Sequence, residues 1–204
     1  MGIEIRELRR RDYGRAIQFA ITGMHFNLYL DNKLLLNLYG RYFWYSELNS
    51  ASQVIAAYDG EKLAGVLLAD MQGEEKKYKT TGQTAYVKIF EFLQNTFYRG
   101  GVGIYDEANR ELLAAYLKEN NPDGQVVFLA ADPDGKVKGI GSRLLEELER
   151  RIHGKEIYLY TDDACTYQFY EHRGFQKSGE KEVLLDLTSK KVPLICFLYS
   201  KRIS

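Results

Sequence analysis

Residues 126–151, VVFLAADPDGKVKGIGSRLLEELERR, constrain this chain more than any other stretch. Val126, Val127, Phe128 and Leu129 form a short apolar run of strand formers. Asp132-Pro133-Asp134-Gly135 is turn chemistry. From Gly139 the period becomes helical, with Ile140, Leu144, Leu145 and Leu148 on one face and charges on the other. His153-Gly154 closes that helix. The junction carries the interest. Gly139 and Gly141 allow close approach to the backbone, and the first amides of a helix lack internal partners and carry the positive end of its dipole. An anion fits there, and Lys136 and Lys138 add positive charge.

Three phosphate-binding patterns compete for this junction. A P-loop needs Gly-Lys-Ser/Thr at the helix start, which is absent. A dinucleotide fold wants Gly-x-Gly-x-x-Gly directly after the strand, whereas Leu144 holds the third position and a long turn intervenes. Lys136-Val137-Lys138-Gly139-Ile140-Gly141 resembles the Gln/Arg-x-x-Gly-x-Gly/Ala signature of the GNAT acyltransferases, in which the pyrophosphate of coenzyme A is held. Lys136 departs from the usual Gln or Arg and keeps the charge of the Arg form. A plain strand-turn-helix with helpful glycines is the alternative.

A second signature follows in order. Glu156–Tyr160 reads as a strand, and the next residues, TDDACTYQFYEHRGF, resemble the same family's amphipathic helix ending Tyr-x-x-x-Gly-Phe. Tyr170, Gly174 and Phe175 match. Asp163 and Thr166 stand where relatives often carry Asn and Ala. Gly174 reads as a helix cap and Phe175 as a core plug.

The rest of the chain fits that frame. Ile3–Leu8 alternates as a half-buried strand. Asp12 caps a helix expected to run to about Tyr29, and Asn32 starts another with Leu34, Leu35, Leu38, Tyr42 and Tyr45 on one side. Asp59-Gly60 joins two apolar runs, Gln53–Tyr58 and Lys62–Ala69, as a hairpin. Residues 71–124 are an expansion beyond a minimal GNAT chain. They read as a polar loop, a helix over Thr84–Tyr98, a break at Arg99–Gly103, and a helix capped by Asp106 with Leu112, Leu113, Tyr116 and Leu117 inward. This expansion could shape an acceptor pocket, make a dimer contact or cover the sheet. Glu182–Leu187 and Pro193–Tyr199 close the sheet.

Composition bounds the function. With 28 basic and 28 acidic residues the net charge is zero, which argues against charge-driven nucleic-acid binding. Two cysteines without a Cys-x-x-Cys indicate neither a disulfide framework nor a zinc knuckle, and no metal is expected. The N-terminus lacks the apolar core of a signal peptide, and no run approaches a membrane span. A cytoplasmic protein with no membrane partner is the default.

The resemblance implies an α/β (α+β) GNAT fold over 1–204 as one acyltransferase domain. Its central seven-stranded sheet is mixed, mostly antiparallel and flanked by helices, with the helical insertion 71–124. It implies acetyl-CoA as co-substrate, lying in a splay between the strands at 126–131 and 156–161. Pantetheine would pair with backbone at Leu129, Ala130 and Ala131. Pyrophosphate would lie on Lys136, Val137, Lys138, Gly139, Ile140, Gly141 and Ser142, with Asp163 at the family's Asn position. A primary amine, small-molecule or peptidic, would attack the thioester directly, and Tyr170 would protonate the leaving thiolate. In this family the first two helices commonly wall the acceptor site, which brings in His25, Tyr29, Tyr42 and Trp44, although aromatic helices are more often core. No base is assigned among Asp132, His25, His172, Asp162 and Asp163, and Cys165 reads as a buried apolar residue. A homodimer is compatible with this picture. So are a CoA-binding module without catalysis and an interaction protein on the same scaffold.

Overall fold

The computed structural model describes residues 2–28, 30, 32–97, 102–187 and 190–204. Seven strands occur: β1 (Ile3–Arg6), β2 (Gln53–Asp59), β3 (Lys62–Met71), β4 (Gly124–Ala131), β5 (Glu156–Asp162), β6 (Gln176–Leu187) and β7 (Lys190–Arg202). Six α-helices accompany them: α1 (Tyr13–Gly23), α2 (Lys33–Ser50), α3 (Thr81–Phe97), α4 (Val102–Tyr116), α5 (Ile140–Arg151) and α6 (Gln168–Glu171). Contacts divide the chain into two compact units, Met1–Phe92 with Val126–His153, and Leu93–Gln125 with Gly154–Ser204. Among the described residues no helix is long and apolar enough to cross a membrane.

In the first unit the strand order is β1-β2-β3-β4. β2 and β3 are buried along almost their whole length because helices cover both of their faces. The antiparallel register pairs Val54 with Leu68, Ala56 with Val66 and Tyr58 with Leu63, and these six join the core built with α1 and α2. The opposite face presents Ile55 with Leu67 and Ala57 with Gly65, and α5 packs on these two strands. A Cβ built at Gly65 would lie 2.5 Å from Ile140 Cγ2 and 3.1 Å from both the Ala130 carbonyl and Leu144 Cδ1. Gly65 therefore lets the first turn of α5 press onto β3. In α5 itself Ile140, Leu144, Leu145 and Leu148 are buried, as the periodicity predicts.

The second unit has strand order β5-β7-β6, all antiparallel. The two closing strands run longer than expected, because the β6–β7 ladder extends from Gln176↔Ser200 to Leu187↔Lys190. α4 packs on β6 and β7, burying Leu112 and Tyr116. Gly174 is left-handed at φ 79° and Phe175 is buried, both as read from the sequence.

Several expectations are corrected. The first helix stops at Gly23 rather than near Tyr29: His25 takes φ 52°, and a short 3-10 turn, Phe26–Leu28, follows. Asp12 makes no side-chain cap. Its carboxylate accepts from the hydroxyl of fully buried Tyr58 (2.8 Å) and from Arg9 Nε (2.9 Å), a tertiary demand that outweighs the local one. Asn32 does cap α2, accepting from the Leu34 and Leu35 amides at 2.9 and 3.2 Å. On α2, the leucines grouped on one side, Leu34, Leu35 and Leu38, are exposed, with Leu34 at 68%, and the buried residues are Gly40, Trp44 and Leu48. α3 begins at Thr81, because Thr80 and Gln83 form a reciprocal capping box at 3.2 and 3.3 Å. Asp106 lies inside α4 rather than at its cap, Gly103 is helical, and Leu117 is exposed beyond the helix end. Residues 98–101 of the glycine-rich break lie outside the described residues. The helix before Gly174 is one turn, Gln168–Glu171, not a longer amphipathic one.

Gly65→Ala should overpack the β3–α5 contact and cost about 1–3 kcal/mol, read as a lower urea midpoint with unchanged slope. A wild-type midpoint would show that α5 does not need this close approach.

Candidate functional site

β4 delivers the chain to the candidate anion-binding end of α5. Val126, Phe128 and Ala130 point into the core, and Ala131 is exposed at the strand end. Asp132 then fixes the loop. Its amide donates to the Ala64 carbonyl of β3 at 2.8 Å, and its carbonyl accepts from Gly135 at 3.0 Å. Its carboxylate accepts from the Asp134 amide (3.3 Å), pairs with Arg15 of α1, and lies 3.3 Å from Lys62 Nζ. Burial pushes this carboxyl up, but the hydrogen bonds from Lys62 and Arg15 outweigh it and hold it below the ordinary value. Asp132 is thus an anchor with its lone pairs engaged, a poor candidate for a base.

Beyond the anchor, Lys136, Val137, Lys138 and Gly139 are exposed. Gly139 caps α5 at φ 78°, a conformation that L side chains resist, and nothing lies within 4 Å of where its Cβ would stand. The first intrahelical bond runs from the Arg143 amide to the Gly139 carbonyl at 3.1 Å, so the Ile140 and Gly141 amides precede it. No acidic side chain occupies the first turn. An open, positively polarised helix end beside two lysines suits a diphosphate, and the residues present fit the phosphate end of coenzyme A.

The second unit carries other residues singled out in the sequence. Tyr170 sits on α6 with its ring T-shaped against Phe169 (5.2 Å) and Phe175 (5.7 Å). Burial pushes its phenol up, and the nearby Cys165 thiol adds to this. Asp163 is exposed: its amide donates to the Ile195 carbonyl (3.1 Å) and its carboxylate accepts from the Ile195 amide (2.9 Å). Asp162 is the residue that caps the turn, accepting from the Ala164 and Cys165 amides at 3.0 and 3.1 Å. The Cys165 thiol is raised to about 12, first by burial and then by Asp162. Cys196 is raised to about 11, again chiefly by burial. His172 is exposed. Among the described residues no group of three or more His, Cys, Asp or Glu side chains is placed to hold a metal ion.

The acceptor-side residues divide. Trp44 is fully buried, T-shaped to Tyr13 (5.9 Å) and Phe128 (6.1 Å), and serves the core rather than a surface that an acceptor reaches. Tyr42 stacks on Phe90 of α3 at 4.5 Å. His25 is half-buried in its left-handed turn beyond the end of α1. Tyr29 lies outside the described residues. Sequence reasoning missed Tyr105 of α4, whose hydroxyl donates to Asp162 at 3.3 Å. A lone tyrosine just before the expected cap Asp106 carries no local signal.

Residues 25–175 match the family model described as the acetyltransferase (GNAT) family. The match spans well over half of the chain, and the chain belongs to this family. Among solved structures it is similar to PH1933 from Pyrococcus horikoshii OT3, at 17% identity over 100% of this chain and 99% of that one, with TM-score 0.60. It is similar to the PaiA N-acetyltransferase from Thermoplasma acidophilum in complex with coenzyme A, at 16% identity over 99% of each chain, TM-score 0.52. The ribosomal-protein-S18-alanine N-acetyltransferase from Escherichia coli is similar at 14% identity over 100% of this chain and 95% of that one, TM-score 0.51. At these identities the likeness establishes the fold, with its seven mostly antiparallel strands. No curated protein matches. Family membership makes the chain an N-acetyltransferase with acetyl-CoA as co-substrate.

With a thiol at about 12, roughly one Cys165 in ten thousand is thiolate at pH 8. Iodoacetamide should therefore label the native protein slowly at this position, and Cys165→Ala should keep acetyl transfer. Rapid labelling, or loss of turnover in a folded Cys165→Ala protein, would restore a nucleophilic role.

Proposed function

We propose that the chain transfers the acetyl group of acetyl-CoA directly to a primary amine, on a small molecule or a peptide, through a ternary complex with Tyr170 as general acid. The observation that carries this reading is the end of α5: a left-handed Gly139 with open space above it, ahead of amides that precede the first helix bond. The backbone from Val137 to Ser142 holds the diphosphate, and Lys136 and Lys138 add charge to it. A helix end contributes only about 0.3–1 kcal/mol per exposed charge. Backbone pairing along Leu129, Ala130 and Ala131 therefore supplies a further share of the hold. Such pairing asks nothing of the side chains, which is consistent with two alanines there.

Bound acetyl-CoA supplies an activated thioester. Tyr170 holds the proton that leaves with the thiol. Its raised pKa keeps it protonated across the neutral range and makes it a weaker acid than an exposed phenol. Ionisation of Tyr170 should therefore remove no activity below about pH 10, the ordinary phenol value. His25 and Tyr42 are the acceptor-side candidates that are not fully buried.

Calorimetric titration with acetyl-CoA, followed by thiol release over an amine panel, tests the reading. Gly141→Val should keep the fold and weaken acetyl-CoA binding at least about tenfold, or 1.4 kcal/mol. Unchanged affinity in the folded variant would displace the coenzyme from α5.

Tyr170→Phe should bind acetyl-CoA normally and lose about a hundredfold or more in turnover, the scale of one general acid. Full turnover in that variant would remove the acid role.

A further inference from the structure

We infer that Tyr105 of α4 is a positioning residue for Tyr170, acting through Asp162. The inference rests on the reading of Tyr170 as the acid, and it assigns a task to a helix of the 71–124 insertion. Asp162 closes β5 and is only 8% exposed. Among the described residues its carboxylate has no basic side chain as an ion-pair partner, so its charge is met by hydrogen-bond donors. One oxygen accepts the Ala164 and Cys165 amides, and the other faces the Tyr105 hydroxyl at 3.3 Å. The turn built on Asp162 leads without interruption to Tyr170. The Cys165 amide donates to the Asp162 carbonyl (3.2 Å), Tyr167 to Cys165 (2.9 Å), Tyr170 to Tyr167 (3.0 Å) and Phe175 to Tyr170 (3.1 Å).

Tyr105 is the only part of this chain of contacts that comes from α4. Its phenol is held well above the ordinary value, first by burial and then by the Asp162 charge, and so it remains a donor to that carboxylate. The wider face is consistent with a brace. Asp162 pairs in register with Cys196 of β7, and Cys196 with Lys181 of β6. Lys181 is engaged by Glu111, again from α4. Without the Tyr105 hydroxyl a buried carboxylate loses one of its donors, and a buried acceptor less well met is costly enough to shift the turn that depends on it.

The test is Tyr105→Phe, which removes one oxygen and keeps the ring. The expected result is a fall in kcat of about three- to tenfold, the scale of one hydrogen bond, with the KM for acetyl-CoA unchanged. In a Tyr170→Phe background the same change should cost nothing further, because residues acting through one group are not additive. An equal loss in both backgrounds, or no loss in the first, would overturn the inference. Should Tyr170→Phe itself retain full turnover, the acid reading fails. The brace is then judged by amide hydrogen exchange over residues 164–170: faster exchange in Tyr105→Phe upholds it and wild-type protection overturns it. If Tyr105→Phe folds poorly, Asp162→Asn serves instead. It keeps an oxygen for the two amides and should outperform Asp162→Ala in kcat, and parity of the two would count against the brace.

Discussion

The contact on which the candidate anion-binding loop depends is the grip of Arg15 and Lys62 on Asp132. It ties the end of β4 to α1 and to β3 at the point where the chain leaves the sheet for the glycine-rich loop. The Asp132 side chain is only 8% exposed, so this is not a surface pair of little consequence. Removing one partner would leave a largely buried charge short of compensation, which is the expensive way to break an ion pair. The backbone repeats the restraint, with the Asp132 amide on Ala64 and its carbonyl on Gly135. One residue beyond Ala64 stands Gly65, whose missing side chain admits Ile140. Both ends of the loop 132–139 are thus fastened to the same short piece of β3. Fastening both ends limits the freedom that an anion would otherwise have to freeze out on binding.

This arrangement explains why some features could be read from residues alone and others could not. The helical face Ile140, Leu144, Leu145 and Leu148 is a property of spacing, and it survives folding unchanged. The cap at Asn32 and the left-handed Gly174 are local too, set by the next few residues. The Thr80–Gln83 capping box was equally visible as Thr-x-x-Gln, yet the polar run before it favoured a loop. Gly65 was not visible, because a close approach is made by the partner and not by the residue. Asp12 looks like a helix cap by composition, and only the buried Tyr58 hydroxyl, 46 positions away, shows where its carboxylate is spent. The buried side of α2 is hidden from the sequence for a similar reason. Its aromatic residues Tyr42 and Tyr45 are met by Phe90 and Tyr86 of α3, a partner that no pattern within α2 announces.

The two groups of candidate residues, one in each unit, differ in their surroundings. At α5 the backbone is polar, exposed and open, so the site attracts charge. Around Tyr170 the ring contacts are aromatic, and ionisation of Tyr105, Cys165 and Cys196 is suppressed, chiefly by burial and then by Asp162. Each of those groups is discouraged from ionising by burial and by the carboxylate already present, and each stays a donor rather than a competing anion.

Residues 71–124, expected from the sequence to be an expansion, are better understood through these environments than as an appendage. Its two helices do different work in the two units. α3 offers Tyr86 and Phe90 to the aromatic side of α2, and leaves Ile89 and Phe92 on the outside. α4 lies on β6 and β7, buries Leu112 and Tyr116, and spends three polar side chains on the strands beneath: Tyr105 on Asp162, Glu111 on Lys181 and Tyr116 on Glu156 at 2.5 Å. A helix that merely covered a sheet would need only the apolar contacts. Polar groups placed on charged residues of β5 and β6 fix the helix in register, since a shift of one turn would unpair all three together. That register is what turns α4 from a cover into a support for the turn that carries Tyr170.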